Sequence, residues 1–351
     1  MLDHTNAPGS RLSGSGTTLL TGALRASFSR TKFISADFTL DAFTTRTWAL
    51  IGSLAIIVVI LLSVTRFKLE ASTFCSTFVC IGINLGTALI LRFRGWVRAS
   101  AAIGSLCQIL ALAILGGLAS VVLAGTNFPL ADSLLERLDH LILGDALAIA
   151  RAQMDFPTWM AIMNYSYVSL PFQPFALIVL ASVFNPNHLA KFAFGWTVSV
   201  CVCLAVFPFV PALGFYLHHG IDPASVSSVR EQSAWLHAEI LLPSRGGLLS
   251  ELGVQHMRGI VTFPSFHAAA AILLGWGFLC TPWFFRWPAL VLNALMLISA
   301  IAIGGHYLVD LFAGCFVALG AIVATERPHL CAVWPVFTRS SRASAHRFGA
   351  R

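Results

Sequence analysis

Eight apolar runs, separated by short polar joints, decide what this chain can become. A helix needs about 20 predominantly apolar residues, at 1.5 Å of rise each, to cross a bilayer's hydrocarbon core. Runs near that length lie at 48–64, 72–91, 100–124, 158–183, 192–213, 266–285, 287–303 and 307–325. The fourth is interrupted by Pro171 and Pro174, and the seventh is short. With 57% apolar and 11% charged residues and a mean hydropathy of +0.80, a soluble core of 351 residues is excluded. The expected fold is an all-α polytopic membrane helix bundle with about eight transmembrane helices.

Charge sets the orientation expected of that bundle. With the N-terminus in the cytoplasm, the inner segments hold fifteen of the 22 Lys and Arg residues, among them Arg92, Arg94, Arg98, Lys191 and Arg286, and the outer segments hold seven. Acidic residues run the other way, with Asp3, Asp37, Asp41 and Glu326 inside and the rest outside. The net charge of +7 is thus a positive-inside pattern, not a nucleic-acid footprint. Both termini are expected in the cytoplasm. The eight cysteines fall in or beside apolar runs, apart from Cys331 in the tail, so no disulfide is expected in an outer loop.

Two polar clusters stand at the mouths of apolar runs, about forty residues apart: Phe263-Pro264-Ser265-Phe266-His267 and Gly304-Gly305-His306-Tyr307-Leu308-Val309-Asp310. An ionisable group at membrane depth is costly unless it has a function or a partner. In the first cluster Pro264 suits an opening helical turn and Thr262 or Ser265 can cap it. His267 then lies beside the unpaired amides of a helix N-terminus, which favour an anion such as phosphate. In the second, the glycine pair ends one helix and the next begins with His306 and Asp310 four residues apart, on one face. The carboxylate can hold one imidazole nitrogen and leave the other free to attack or to take a proton.

On these residues the chain resembles the type 2 phosphatidic acid phosphatase superfamily. Pro264-Ser265-Phe266-His267 matches that family's P-S-x-H motif, and His306 to Asp310 matches the H-x-x-x-D that ends its third motif. The wording Gly-His-Tyr-Leu-Val-Asp-Leu is most similar to the inositol phosphorylceramide synthase branch, with weaker similarity at Tyr167-Val168-Ser169-Leu170, Gln173 and 135–139. The resemblance covers residues 132–325. It implies a six-helix core and a covalent phosphohistidine mechanism on a lipid phosphate, in which His306 attacks phosphorus, Asp310 orients it and His267 protonates the leaving oxygen. The family's K-x6-R-P motif is missing, since the sole Arg-Pro, Arg327-Pro328, follows the last run, and Ala300 stands where the third motif carries arginine.

Replacement cations are therefore sought in the long polar stretch at 216–262. Arg245 and Arg258, with fixed charge and fork geometry, are the candidates to hold phosphate oxygens, alongside Ser265 and Gly305 at the two helix openings. His218, His219 and His237 in the same stretch show no tight metal-ligand pattern, so no metal and no cofactor is expected. Residues 127–157 alternate Leu134, Leu135, Leu138, Leu141 and Ile142 with Asp132, Glu136, Asp139 and His140, which reads as a helix lying in the membrane interface. The expected divisions are a loosely ordered cytoplasmic arm at 1–46, N-terminal membrane helices at 47–125, a catalytic membrane domain at 126–325 and a basic cytoplasmic tail at 326–351. The expected partners are a lipid phosphate substrate and membrane lipids.

Overall fold

Proline and glycine fix where each apolar run begins and ends as a helix. In the computed structural model, which describes residues 15–223, 233–257 and 259–327, helix α1 spans Ser15–Val64, α2 Ala71–Phe93 and α3 Val97–Ala124. Residues 15–46, expected as a loose arm, are instead helical and continuous with the first span; the stretch contains no proline to stop them. Gly95, at φ +79, turns the chain between α2 and α3. Short helices follow: α4 at Asp132–Leu138, running into a π turn at Asp139–Leu143 that Gly144 ends at φ +116, and α5 at Ala146–Met154, capped by Asp145 Oδ1 on the Ala148 amide at 2.9 Å.

The fourth run is broken where its prolines predict. α6 (Pro157–Val168) and α7 (Gln173–Phe184) meet at a 60° bend around Pro171, with Pro174 in the first turn of α7. α8 (Pro186–Val206) opens on a proline behind the Asn185 cap, whose Oδ1 accepts from the His188 amide at 3.1 Å. Then come α9 (Phe215–His218), α10 (Ser233–Leu236), α11 (Ala238–Gly246), α12 (Phe266–Phe278), α13 (Trp283–Ala302) and α14 (Leu308–Glu326). A two-residue parallel pairing of β1 (Lys68–Leu69) with β2 (Glu251–Leu252) ties the α1–α2 joint to the long polar stretch.

Among the described residues six helices are long and apolar enough to cross a membrane, or seven if the bent α6–α7 pair is one span; α12, at 13 residues, is shorter. Every predicted run is thus an apolar helix or helix pair in an all-α bundle. α12 lies at its centre, with Ala268, Ala269, Ala270, Leu273 and Leu274 fully buried against α7, α8, α13 and α14. α1 and α3 pack against α8, and α2 packs on α3. Large apolar side chains remain exposed on α1, α2, α7 and α14, such as Ile56, Phe78, Val179 and Phe316, the surface that lipid covers in a membrane protein. One end of the bundle carries Lys191–Glu326 and Arg92–Asp41 ion pairs at 2.8 and 2.7 Å. The other end carries both histidine motifs.

Candidate active site

The two motifs meet because α12 and α14 begin side by side. Ser265 caps α12, its Oγ accepting from the Ala268 amide at 3.4 Å, while its own amide donates to the Asp310 carbonyl at 3.0 Å. Gly314, one turn on from Asp310, permits that approach, because a Cβ there would strike the Ser265 carbonyl and come within 3.0 Å of Ala268 Cβ. The turn between α13 and α14 passes through Gly305 at φ +68, where a Cβ would lie 3.0 Å from both Ala234 and the ring of Tyr216. Both glycines are therefore packing requirements of the site. For Gly305 the structure shows a turn residue whose carbonyl accepts from the Phe215 amide at 3.2 Å.

His306 Nδ1 lies 3.3 Å from Asp310 Oδ2, and that oxygen also accepts from the Tyr307 amide at 3.0 Å. A carboxylate only accepts, so this network assigns the proton to Nδ1 and leaves Nε2 with its lone pair. Both side chains are buried, at 8% and 1% exposure. The ring of His267 has its centroid 6.4 Å from that of His306, inclined at 53°, and stacks on Tyr167 at 4.0 Å and 11°. Tyr167 also touches the turn, its Cε2 lying 2.9 Å from where a Cβ on Gly304 would be. His267, His306, Asp310, Ser265 and Gly305 are thus brought together at one end of the bundle.

Of the two arginines expected with them, Arg245 alone lies among the described residues. Arg245, in the last turn of α11, donates to the Phe128 carbonyl at 2.6 Å, and Arg258 lies outside the described residues. Ala300 is fully buried in the apolar cluster behind the turn, so its position offers no cation. What remains for an anion is the start of α12: the amides of Phe266 and His267, the first two of that helix, have no acceptor among the described residues. The start of α14 is already filled by carboxylates.

Two of those carboxylates correct the sequence reading. Asp132 and Asp139 were assigned to the polar face of an interface helix, yet they are buried, at 3% and 1% exposure. Asp139 accepts from the amides of Leu308 at 2.7 Å and Val309 at 2.8 Å, which have no acceptor in their own helix. Asp132 accepts from the amides of Leu213 and Gly214 at 3.0 and 2.9 Å and from the Tyr307 hydroxyl at 3.3 Å. Burial raises the pKa of both, and these amide bonds oppose the rise.

His237 and Tyr216 complete the support. The Leu213 carbonyl lies 2.9 Å from His237 Nε2, so that nitrogen carries the proton. Burial, with nearby His306 adding to it, lowers the His237 pKa to about 4 and keeps the ring neutral near pH 7. The Tyr216 hydroxyl donates to the Ala302 carbonyl at 2.8 Å while its ring stacks on Trp235. His218 and His219 turn elsewhere, to Glu136 at 3.4 and 2.8 Å. Among the described residues no group of three or more His, Cys, Asp or Glu side chains is arranged to hold a metal ion.

No curated protein and no solved structure matches the chain. The family model described as PAP2 superfamily matches residues 133–324. That span runs from α4 into α14, more than half of the 351 residues, and contains both histidine motifs with Asp139 and Asp310, while Asp132 lies one residue before it. The chain belongs to the PAP2 superfamily, whose members are in general phosphatases and phosphotransferases.

Proposed function

We propose that this chain is an integral membrane enzyme that cleaves a lipid phosphate ester through a phosphohistidine at His306. The observation that carries the reading is the pairing of an Asp310-held imidazole with a second imidazole 6.4 Å away, beside the open amides of α12. His306 Nε2 attacks phosphorus and the bond to the leaving oxygen breaks. The positive charge that forms on the imidazole is balanced by Asp310, and His267, entering as imidazolium beside the anionic phosphate, gives its extra proton to the departing alkoxide and is left neutral. Water or an alcohol then attacks phosphorus, His267 takes its proton, and the P–N bond breaks. The amides of Phe266 and His267 stabilise the charge on the phosphoryl oxygens.

The catalytic unit of this reading is the membrane domain at 126–325, with the site at the extracytoplasmic leaflet. The positive-inside pattern supports that side, because Lys191, Arg92 and Arg286 gather at the end away from the histidines. A second reading, transfer of the phospho-headgroup to an alcohol as in inositol phosphorylceramide synthases, is favoured by Tyr167. This residue of the branch-like stretch stacks directly on His267. A non-catalytic lipid-binding role has the missing cations in its favour and the intact His-His-Asp set against it.

The test is turnover of a panel of lipid phosphates, with and without added polyol. His306→Ala and His267→Ala are each expected to lose at least about 10²-fold, the low end for a positioned acid or base. Unchanged turnover in either variant would refute the assigned roles. Release of free phosphate marks a phosphatase, and a new phosphoester marks the transferase.

A further inference from the structure

The segment that holds the His306 turn has three faces. Asp132, Leu135 and Asp139 are buried against the bundle, while Ser133, Arg137 and His140 are exposed on a second side. Leu134, Leu141 and Ile142 are exposed on a third, at 48%, 81% and 68%. At 3.6 residues per turn, 132, 135 and 139 share one face of α4 and 134 lies roughly opposite, while Leu141 and Ile142 stand exposed in the π turn that follows. The π turn at Asp139–Leu143 serves both ends of this arrangement: Asp139 reaches the amides of α14, and Leu141 and Ile142 face outward. Phe128 and Leu130, at 42% and 40% exposure, extend the apolar ridge towards the end of α3, a helix of membrane-spanning length.

A helix with one face on protein, one polar and one apolar and open has the form of an element lying in a bilayer interface. We propose that the segment 128–142 is seated in the phospholipid interface and couples lipid contact to the order of the His306 turn. The occupant is lipid because the segment follows directly on α3, a helix of membrane-spanning length, and its open face is made of large apolar side chains. The mechanical link is short. From the lipid-facing Leu141 the chain runs two residues back to Asp139, and the Asp139 carboxylate grips the first two amides of α14. Asp132, on the same inner face, holds Tyr307 and the Leu213–Gly214 amides. Seating the ridge therefore fixes both carboxylates, and through them the imidazole of His306. The lipid seat stands independently, and its coupling to turnover rests on the proposed role of His306.

The experiment uses the full chain reconstituted in phosphatidylcholine vesicles, with a benzophenone amino acid at position 141 or, as the water-facing control, at position 137. Photolysis is expected to give a phospholipid adduct by mass spectrometry at 141 and none at 137. In parallel, the double variant Leu141→Ser and Ile142→Ser is assayed on long-chain phosphatidic acid in vesicles and on short-chain phosphatidic acid in detergent. Turnover is expected to fall at least about fivefold in vesicles and to stay at the parent level in detergent. No adduct at 141, or equal adducts at both positions, overturns the lipid seat. Unchanged vesicle turnover, or an equal fall in detergent, overturns the coupling. Should His306→Ala keep full turnover, the proposed catalytic role fails while the cross-link still decides where the segment lies.

Discussion

Asp139→Asn isolates the contact that holds the start of α14 beside His306, the proposed nucleophile. The native carboxylate accepts two amides, from Leu308 at 2.7 Å and Val309 at 2.8 Å, in a site with 1% exposure. Asparagine keeps one acceptor oxygen and turns an NH2 group on the second amide. A hydrogen bond to a charged group contributes about 1.5–3 kcal/mol, so losing one and reducing the other to neutral strength costs about 3 kcal/mol. That cost falls on the first turn of α14, next to His306, not on the apolar packing of the bundle. A misplacement near 1 Å in a reacting group costs about 10²-fold in rate. The expectation is a fall in kcat of about that size with little change in KM, and a larger loss for Asp139→Ala, which removes both acceptors. Steady-state turnover of phosphatidic acid in detergent, with the thermal midpoint followed alongside, makes the measurement. Arg137→Gln is the control, since that side chain is exposed and, among the described residues, bonds within its own helix, to the Ser133 carbonyl at 3.0 Å. If both Asp139 variants keep kcat within twofold of the parent, the carboxylate does not position His306.

Three further outcomes follow from the same geometry. His237 is neutral in the fold down to about pH 4 but in the unfolded chain only above its ordinary 6.5. Its contribution is lost as pH falls through that window, about 3 kcal/mol at 1.36 kcal/mol per pH unit. The thermal midpoint of the parent should therefore drop more steeply between pH 6.5 and 4 than that of His237→Gln, and equal slopes would contradict the burial of that ring. Gly314→Leu should separate α12 from α14 and abolish turnover, because even a Cβ meets the Ser265 carbonyl; retained activity would mean that the two helix starts need not touch. An impermeant label directed to the 216–257 stretch should react in intact cells, and reaction only after lysis would invert the proposed orientation.

Much of the architecture is legible because membrane burial writes itself as long apolar runs, and Pro171 and Pro174 mark the sharp break between α6 and α7. The cluster at the helix starts is legible for a related reason: histidine and aspartate are rare enough at the mouths of such runs that His267, His306 and Asp310 stand out. Asp132 and Asp139 are harder, since an aspartate in an amphipathic stretch has the same appearance whether it meets water or a helix terminus. Their spacing held a clue. Residues 132, 135 and 139 share one helical face, so the two carboxylates travel with buried Leu135, not with exposed Arg137. His237 carried no local signal, because its partner, the Leu213 carbonyl, is placed by a loop connection. Arg245 is a candidate by charge, fork geometry and its place in the polar stretch, none of which shows that α11 brings it to the Phe128 carbonyl.

The central claim, that His306 is the nucleophile, is tested most directly by trapping the intermediate. The parent enzyme is mixed with phosphatidic acid, stopped within milliseconds under alkaline denaturing conditions that preserve phosphohistidine, and digested for mass spectrometry. A phosphoryl group on the peptide containing His306, absent from His306→Ala, is the predicted result. Turnover with no phosphate on that peptide, or with phosphate on another residue, would contradict it.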